Sequence, residues 1–451
     1  MANILWVSDS PYLDTGLGRV TRVVTKGLHD AGHNMCVLAW THRQTDRLIP
    51  FRVIPISGRP GDEYGRITYG QVLEHFRPDA VVAHGDWWAM THIANGPRPN
   101  RMHVAGYFTI DSQPVAPEGI AVMRAMDTAV MCSRFGAAAL NDPMGDPQLP
   151  SYAIPLGVDT SIFHPLSRED RNEARFDTGV QGKFVVGCVA RNNTRKMLPT
   201  LLKAFKLFIS PWHRCGGCGH VHHNINIPER CAVCGGATMI SGGHKNDAVL
   251  YLHTEPRDQF GPRLLPLIER LGLRGRVAFP AGGQIGCGVA DSEMARLYAC
   301  FDLFVLPTAA EGWCLPLQEA MACGVPALAT DYGGHTDFFP AGIGRLKVAE
   351  FITNRLTGGD HAIVDTMAMV KRMDAFYFDA EGFQAKWGTD LERWGQWAGF
   401  GLPARYRHAD ECRAAAVKCT WKTCVQSWVD LVASWNLRPA QAGRPTDPVL
   451  V

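Results

Sequence analysis

The 451-residue sequence contains no run of eighteen apolar residues, and its first residues lead directly into a strand-like stretch. Neither a membrane span nor a secretory signal is therefore expected. An excess of one charge sign is also lacking: 45 Lys and Arg face 43 Asp and Glu, a net of +2. That gives no global footprint for nucleic acid or anionic lipid, although a local basic groove could lie within it. A disulfide framework is missing too. Of 14 cysteines, four form one metal-type cluster and the rest are scattered singly in apolar contexts, the usage of a reducing compartment. With 46% hydrophobic and 20% charged residues, wholesale disorder is excluded. The length suggests two or three domains, and two cores of about 200 residues each need no staples. The expectation is a soluble, cytoplasmic α/β protein.

The first half alternates apolar strand candidates with amphipathic helices. Residues 3–8 (NILWVS), 35–39, 80–83, 104–108 and 128–132 read as strands. Between the first two lies a helical pattern with Val20, Val23, Val24 and Leu28 on one face, closed by Gly32. Strands separated by helix-length segments predict a parallel sheet covered on both faces. The stretch 156–175 changes character and reads as a connection. The rhythm restarts with strands at 183–190, 248–253, 276–279 and 301–306 and helices at 199–209 and 264–271. A short helix over 316–323 has proline in its first turn and Gly324 just past its end. The predicted architecture is two doubly wound Rossmann-like domains facing a cleft, with ligands beyond the carboxyl ends of the strands. The domains run over 1–165 and 180–355, with an insertion at 211–246 and a helical segment at 356–451. Trp421, Trp428 and Trp435 recur every seven residues, which predicts one packed face of a terminal helix laid back across the domains.

The strongest local signal is Cys215-Gly-Gly-Cys218, twelve residues, then Cys231-Ala-Val-Cys234. Two such knuckles supply four thiolates at tetrahedral geometry for a structural Zn²⁺. His213, His220, His222 and His223 surround the cluster, but four cysteines complete a closed site, so the histidines receive no metal role. The insertion resembles a zinc ribbon; ribbons present surfaces to nucleic acid or protein, yet this one carries only Arg214, Arg230 and Lys245 against Glu229, a small phosphate footprint.

The most informative loop is Pro307–Pro326, PTAAEGWCLPLQEAMACGVP. Glu311 follows a buried strand, and Glu319 lies one or two turns into the next helix. A helix N-terminus attracts phosphate, so flanking carboxylates suit hydroxyl groups, as a sugar or ribose presents them. On spacing alone, Glu311 as a cap and Glu319 on a solvated face remain equally open. Here the pattern resembles the E-x7-E signature of retaining GT-B glycosyltransferases, those of glycosyltransferase family four. Ile154–Pro165 is similar to that family's interdomain segment, Arg191 and Lys196 match its basic pair, and 291–307 and 329–338 fit the run of motifs around the signature.

The resemblance implies a nucleotide-sugar-dependent, retaining transferase with its donor on the carboxy-terminal domain. Arg191 and Lys196 would hold the donor diphosphate, Glu311 hydroxyls of the transferred sugar, and Glu319 the ribose. Gly333 and Gly334 would admit the donor to backbone N–H groups, unless they simply form a turn. No catalytic metal is implied. Arg195, beside the pair, reads as a solvated charge. Gly16 and Gly18 in DTGLGRV form either a plain turn or a phosphate cradle; Thr21 stands where a third glycine would complete a dinucleotide fingerprint, which disfavours a dehydrogenase. Arg19 follows, within reach of the cleft. His84 in VVAHGDWW reads as a core histidine or, with Asp86, Trp87 and Trp88, a pocket wall. Asp111 stands near a position where the family often has histidine. It takes the acceptor proton, hydrogen-bonds the sugar, or caps a helix. The acceptor is a saccharide, lipid-linked or small-molecule hydroxyl. The alternatives are a hydroxymethylated DNA base, suggested by the ribbon and Trp87-Trp88, and a catalytically inactive nucleotide-sugar-binding module.

Overall fold

The structure is a computed structural model describing residues 1–41, 47–140, 151–218, 221–223, 228–242, 244–280, 289–378, 404–435 and 437. His220 and three of the six clustered tryptophans, Trp387, Trp394 and Trp397, lie outside the described residues.

Two parallel sheets organise the chain. The first has the order β3-β2-β1-β4-β5-β6-β7, with β1 Asn3–Ser8, β2 Asn34–Ala39, β3 Arg52–Pro55, β4 Ala80–Gly85, β5 His103–Phe108, β6 Thr128–Met131 and β7 Ser151–Ala153. The second has the order β13-β12-β8-β14-β15-β16, with β8 Phe184–Val189, β12 Ala248–His253, β13 Val277–Ala278, β14 Leu303–Leu306, β15 Ala327–Thr330 and β16 Arg345–Leu346. The central strands β1, β4, β8 and β14 are buried along their whole length, as parallel strands covered on both faces must be. The short edge strands β3 and β7 escape a reading by apolar runs. The charged stretch 167–175 is more than a connection. Ser167 caps a helix, Arg168–Asp177, and Arg175 from it is buried against Asp302 at 3.1 Å and the Cys300 carbonyl at 2.7 Å.

Strand order reverses between β1 and β4 in one sheet and between β8 and β14 in the other. Loops leaving such a pair pass to opposite faces and open a crevice at the strands' carboxyl ends. The segments at these crevices are residues 9–16, 86–88, 190–197 and 307–314. Met197 and Cys314, at the ends of the last two, hold positive φ values of 53° and 79°, a conformation L-residues adopt at a cost.

The terminal helix Trp421–Ser434 returns to the first sheet. Trp428 packs edge-on against Trp6 of β1 and Tyr107 of β5, and Trp435 stacks on His103 at 4.3 Å. Close approach of this helix to helix Gly16–Asp30 depends on Gly27, where a Cβ would stand 2.2 Å from Val425.

The insertion follows helix Leu198–Ile209. That helix starts from the carboxyl end of β8 and runs back along the sheet, so the inserted strands begin at the sheet's opposite edge. There β9 Trp212–Cys215 pairs antiparallel with β10 Val221–His222 and β11 Met239–Gly242. Its base is tied down by a buried charge cluster: His223 and Lys245 reach Asp374 of helix Thr366–Phe378 at 2.6 and 3.1 Å. A last antiparallel hairpin, β17 Val348–Thr353 and β18 Asp360–Val364, extends strand structure past residue 355, where apolar patterning had faded.

Candidate active site

The loop after β8 contains a 3-10 turn over Thr194–Lys196 that turns two successive cations toward the loop after β14. Lys196 Nζ bonds Glu311 Oε1, and Arg195 Nη1 lies 3.2 Å from Glu311 Oε2. Glu311 is only 4% exposed. Burial would raise its carboxyl pKa, but the neighbouring Lys196 and Arg195 charges outweigh it and hold the value at about 2. Glu311 is thus ionised at every ordinary pH, an acceptor and not an acid. Arg195 was expected in solvent. Instead it also donates to the Ala310 carbonyl and reaches Asp111 at 3.9 Å, because the turn is packed directly against the loop after β14, where the Ala309 N–H donates to the Arg195 carbonyl at 2.7 Å.

Arg191, the other half of the expected basic pair, stands away from Glu311. Its guanidinium is 63% exposed, bonded through Nε to Asp258 at 2.9 Å and laid over the Phe260 ring. Its charge also reaches Asp9, whose carboxyl is otherwise pushed up by burial. Arg191 therefore occupies the crevice mouth.

Glu319, likewise 4% exposed, projects from helix Leu315–Ala322. Its Oε1 takes Arg19 of the first helix, and its Oε2 accepts the Tyr298 hydroxyl at 2.8 Å. Arg19 also binds Asp291 at 2.6 Å. The two sheets' crevices are therefore joined by an ion pair through the very carboxylate expected to meet a ribose. Gly16 faces the same junction, with Leu315 4.0 Å from where its Cβ would be. Gly18 serves local packing: a Cβ there would strike the carbonyls of Leu13 and Ser10, and its N–H is capped by Thr15 at 3.1 Å.

Gly333 and Gly334 pack on the Glu311 loop. Gly333 has a φ of 105°, and a Cβ on Gly334 would lie 1.8 Å from the Gly312 carbonyl. The Gly334 N–H is spent on the Glu311 carbonyl at 2.7 Å, so that group is not left for a donor. Its demand for glycine comes from shaping Glu311.

His84 departs from the expected pocket wall. It is fully buried between Trp6 and Tyr107, with Nδ1 3.3 Å from the Ser8 hydroxyl, and burial lowers its pKa to about 3. It sits inside the buried strand β4, and Asp86, just past the strand's end, reaches the crevice. Asp86 accepts from Thr109 Oγ1 at 2.8 Å, and Asp111 from Ser112 Oγ at 3.1 Å. Both line a pocket with Trp87 and Trp88. The sequence assigns nothing to Asp9 or Tyr298 and reads Arg195 as a solvated charge. Only Arg195 carried a usable signal, its place beside Lys196 in a short loop after a buried strand.

The four cysteines Cys215, Cys218, Cys231 and Cys234 bring their Sγ atoms within 4.8 Å of one another. Two of the Sγ pairs are 3.5 Å apart, close to the roughly 3.8 Å edge of a tetrahedron built on 2.3 Å zinc–sulfur bonds. The Cys218 backbone N–H helps lower the Cys215 thiol to about 6, favouring the thiolate a metal needs. The donor set fits zinc. His213 bonds Ser241 at 2.9 Å and His223 bonds Asp374.

Residues 267–350, which take in Glu311, Glu319 and both glycines, match the family model described as glycosyl transferases group 1. The chain is 27% identical over 273 residues to the lipopolysaccharide core biosynthesis mannosyltransferase LpsB of Rhizobium meliloti, covering 60% of this chain and 61% of that one. It is 28% identical over 215 residues to a D-inositol 3-phosphate glycosyltransferase of Rhodococcus erythropolis, 47% of this chain and 40% of the relative. The aligned part thus spans less than two thirds of these relatives. Among solved structures it is similar to sucrose-phosphate synthase of Thermosynechococcus elongatus, with TM-score 0.67, 15% identity, and 96% and 99% of the two chains covered. It is also similar to HepE of Anabaena in complex with UDP and glucose, with TM-score 0.63, 17% identity, and 96% and 100% covered. The fold is GT-B. Among the described residues no helix is long and apolar enough to cross a membrane.

Proposed function

We propose that this chain is a retaining glycosyltransferase that moves a sugar from a nucleoside-diphosphate sugar to an acceptor hydroxyl. The observation that carries the reading is the convergence of Lys196, Arg195 and Glu311 where the second sheet's strand order reverses. Supporting it are the group 1 match over residues 267–350 and a fold neighbour solved in complex with UDP and glucose. The division into domains 1–165 and 180–355, the insertion at 211–246 and the segment 356–451 belong to the same proposal. So does a reducing, cytoplasmic setting, in keeping with the unbridged thiols among the described cysteines.

In this reading the donor diphosphate enters past Arg191 at the mouth and draws Lys196 partly from Glu311. The sugar C1–O bond to the diphosphate breaks as the acceptor oxygen bonds C1 on the same face. The electron pair leaves with the phosphate, whose oxygen takes the acceptor proton. Cationic side chains already in place stabilise the charge that develops there. Glu311, kept anionic, accepts sugar hydroxyls, and no carboxylate nucleophile is required, unlike paired-acid glycosidases. Glu319 accepts ribose hydroxyls with the oxygen lone pairs that Arg19 and Tyr298 leave over. Packing of the two sheets' crevices against each other excludes water and limits donor hydrolysis.

Zinc, held by Cys215, Cys218, Cys231 and Cys234, would be structural, and its module stands at the far edge of the sheet from this crevice. That placement lends no support to a DNA-base acceptor reached through the ribbon. The test is incubation with labelled UDP-, GDP- and ADP-sugars. Release of nucleoside diphosphate, lost in Glu311→Gln, and a product of retained anomeric configuration are expected. Tight donor binding with no release would instead identify an inactive binding module.

A further inference from the structure

The loops following β4 and β5 build a second feature beside Glu311. Asp86, Trp88, Thr109, Asp111 and Ser112 line a pocket whose remaining wall includes Thr357, brought over from the β17–β18 hairpin. The hairpin tip is seated on the first domain. The Asp360 N–H donates to the Gln113 carbonyl at 2.7 Å, and a Cβ on Gly359 would come within 2.4 Å of the Ser112 hydroxyl. The pocket is built mainly by the first domain and completed by Thr357 of the second. It also adjoins the proposed reaction centre. Gly312 backs directly onto Thr109, where a Cβ would find the Thr109 backbone at 3.2 Å, and the Arg195 guanidinium spans Glu311 and Asp111.

Three properties of this pocket specify its occupant. First, it presents a rigid aromatic shelf. Trp88 is 44% exposed and Tyr64 38% exposed, their rings edge-to-face at 5.3 Å, with Tyr64 backed in turn by Trp40 at 5.5 Å. An exposed tryptophan braced in this way offers a flat face to apolar C–H groups without having to be ordered first. Second, two carboxylates flank that shelf, each with one oxygen engaged by a hydroxyl of the loop after β5, Thr109 for Asp86 and Ser112 for Asp111, and acceptor capacity left over. Third, the described lining residues include no lysine, arginine or histidine. The adjoining cation, Arg195, is already shared between Glu311 and Asp111, so a phosphate or phosphodiester would meet two acids and no uncommitted positive charge. Alternating C–H faces and hydroxyls are what a sugar ring presents.

We propose that this pocket is the acceptor site and that it takes an uncharged saccharide, its ring on Trp88 and its hydroxyls donated to Asp86 and Asp111. The assignment rests on the transferase reading above and narrows it. Acceptors carrying a phosphate, whether sugar phosphates or DNA, are excluded by charge.

An array of uncharged saccharides and matched sugar phosphates, probed with the full chain, tests this without any donor. Uncharged saccharides should bind and phosphates should not. For the best binder, Trp88→Ala should weaken binding by about tenfold, while Trp88→Tyr, which keeps a stacking face, should retain most of it. Asp86→Asn carries the sign test: it weakens an uncharged saccharide, whereas it would strengthen any anionic ligand. The proposal is overturned if no uncharged saccharide binds, if phosphates bind better and gain from Asp86→Asn, or if Trp88→Ala folds normally and binds as before. Nucleotide release by the wild-type chain without acceptor is scored separately. Its absence would remove the transferase reading while leaving a saccharide site.

Discussion

Arg19 and Glu319, 300 residues apart, form a buried ion pair that joins the first helix of one domain to the short helix of the other. The same guanidinium holds Asp291, and the same carboxylate accepts the Tyr298 hydroxyl. Arg19→Ala would strand Glu319 in the interior with one neutral donor. It should destabilise the chain by about 3–5 kcal/mol in urea unfolding, and Arg19→Met with Glu319→Leu should recover most of that loss. An equal loss in the single and double variants would show that the pair does not bind the domains together.

Glu311 stands at the proposed reaction centre and is held there by two cations. Glu311→Gln keeps the shape but removes the charge, and should lower nucleotide release by about 10²-fold or more. Its depressed pKa sets the sign of the pH effect. The ionised form is favoured by the fold, so its contribution is present above the ordinary glutamate range and lost as pH falls through about 2. Wild type should therefore exceed Glu311→Gln in stability at neutral pH, with the gap closing in acid. A gap constant with pH would mean that the two cations do not act through this carboxylate.

Asp86 should behave in the opposite way. Its surface is exposed at the crevice, but crowding by the surrounding loops and the charge of Asp111 push its carboxyl above the usual carboxylate range, against the Thr109 hydrogen bond and Arg195. Its ionisation opposes folding, so the penalty is absent below the unfolded pKa and grows as pH rises through the folded one. Asp86→Asn should melt higher than wild type at pH 7 and gain nothing at pH 3. A lower melting temperature at pH 7 would contradict this.

The cysteine module should hold a single zinc ion per chain, measured by metal analysis of protein purified without added metal. Chelation should expose Arg214 and Arg230 to trypsin, because the thiolates are what gather three short strands. Donor-only nucleotide release should stay within about twofold, since the module stands at the far edge of the sheet. Loss of that release along with the metal would mean that the module supports the crevice itself.

Legibility followed range. The buried runs of β1, β4, β8 and β14 announce themselves because a parallel strand covered on both faces must be apolar throughout. Cys215–Cys234 is equally plain, as metal geometry demands a fixed local spacing. Lys196 and Glu311 could be singled out because each lies in a loop after such a strand. His84 misled because the last residues of a parallel strand covered on both faces are buried in either phase of the pleat, and only past the strand's end at Gly85 does a side chain, that of Asp86, reach the crevice. Arg195 misled because an exposed charge and a paired one look identical until the turn is folded.

Composition, strand rhythm and local spacing therefore determined that this is a two-domain α/β chain with a thiolate cluster and a crevice holding acids and bases, since those are short-range requirements written in neighbouring residues. Which acid meets which base was decided only in three dimensions. Arg19 with Glu319, Arg195 with Asp111, and Thr357 over Trp88 each join segments far apart in the chain, and such partnerships follow from how two domains dock rather than from any local pattern.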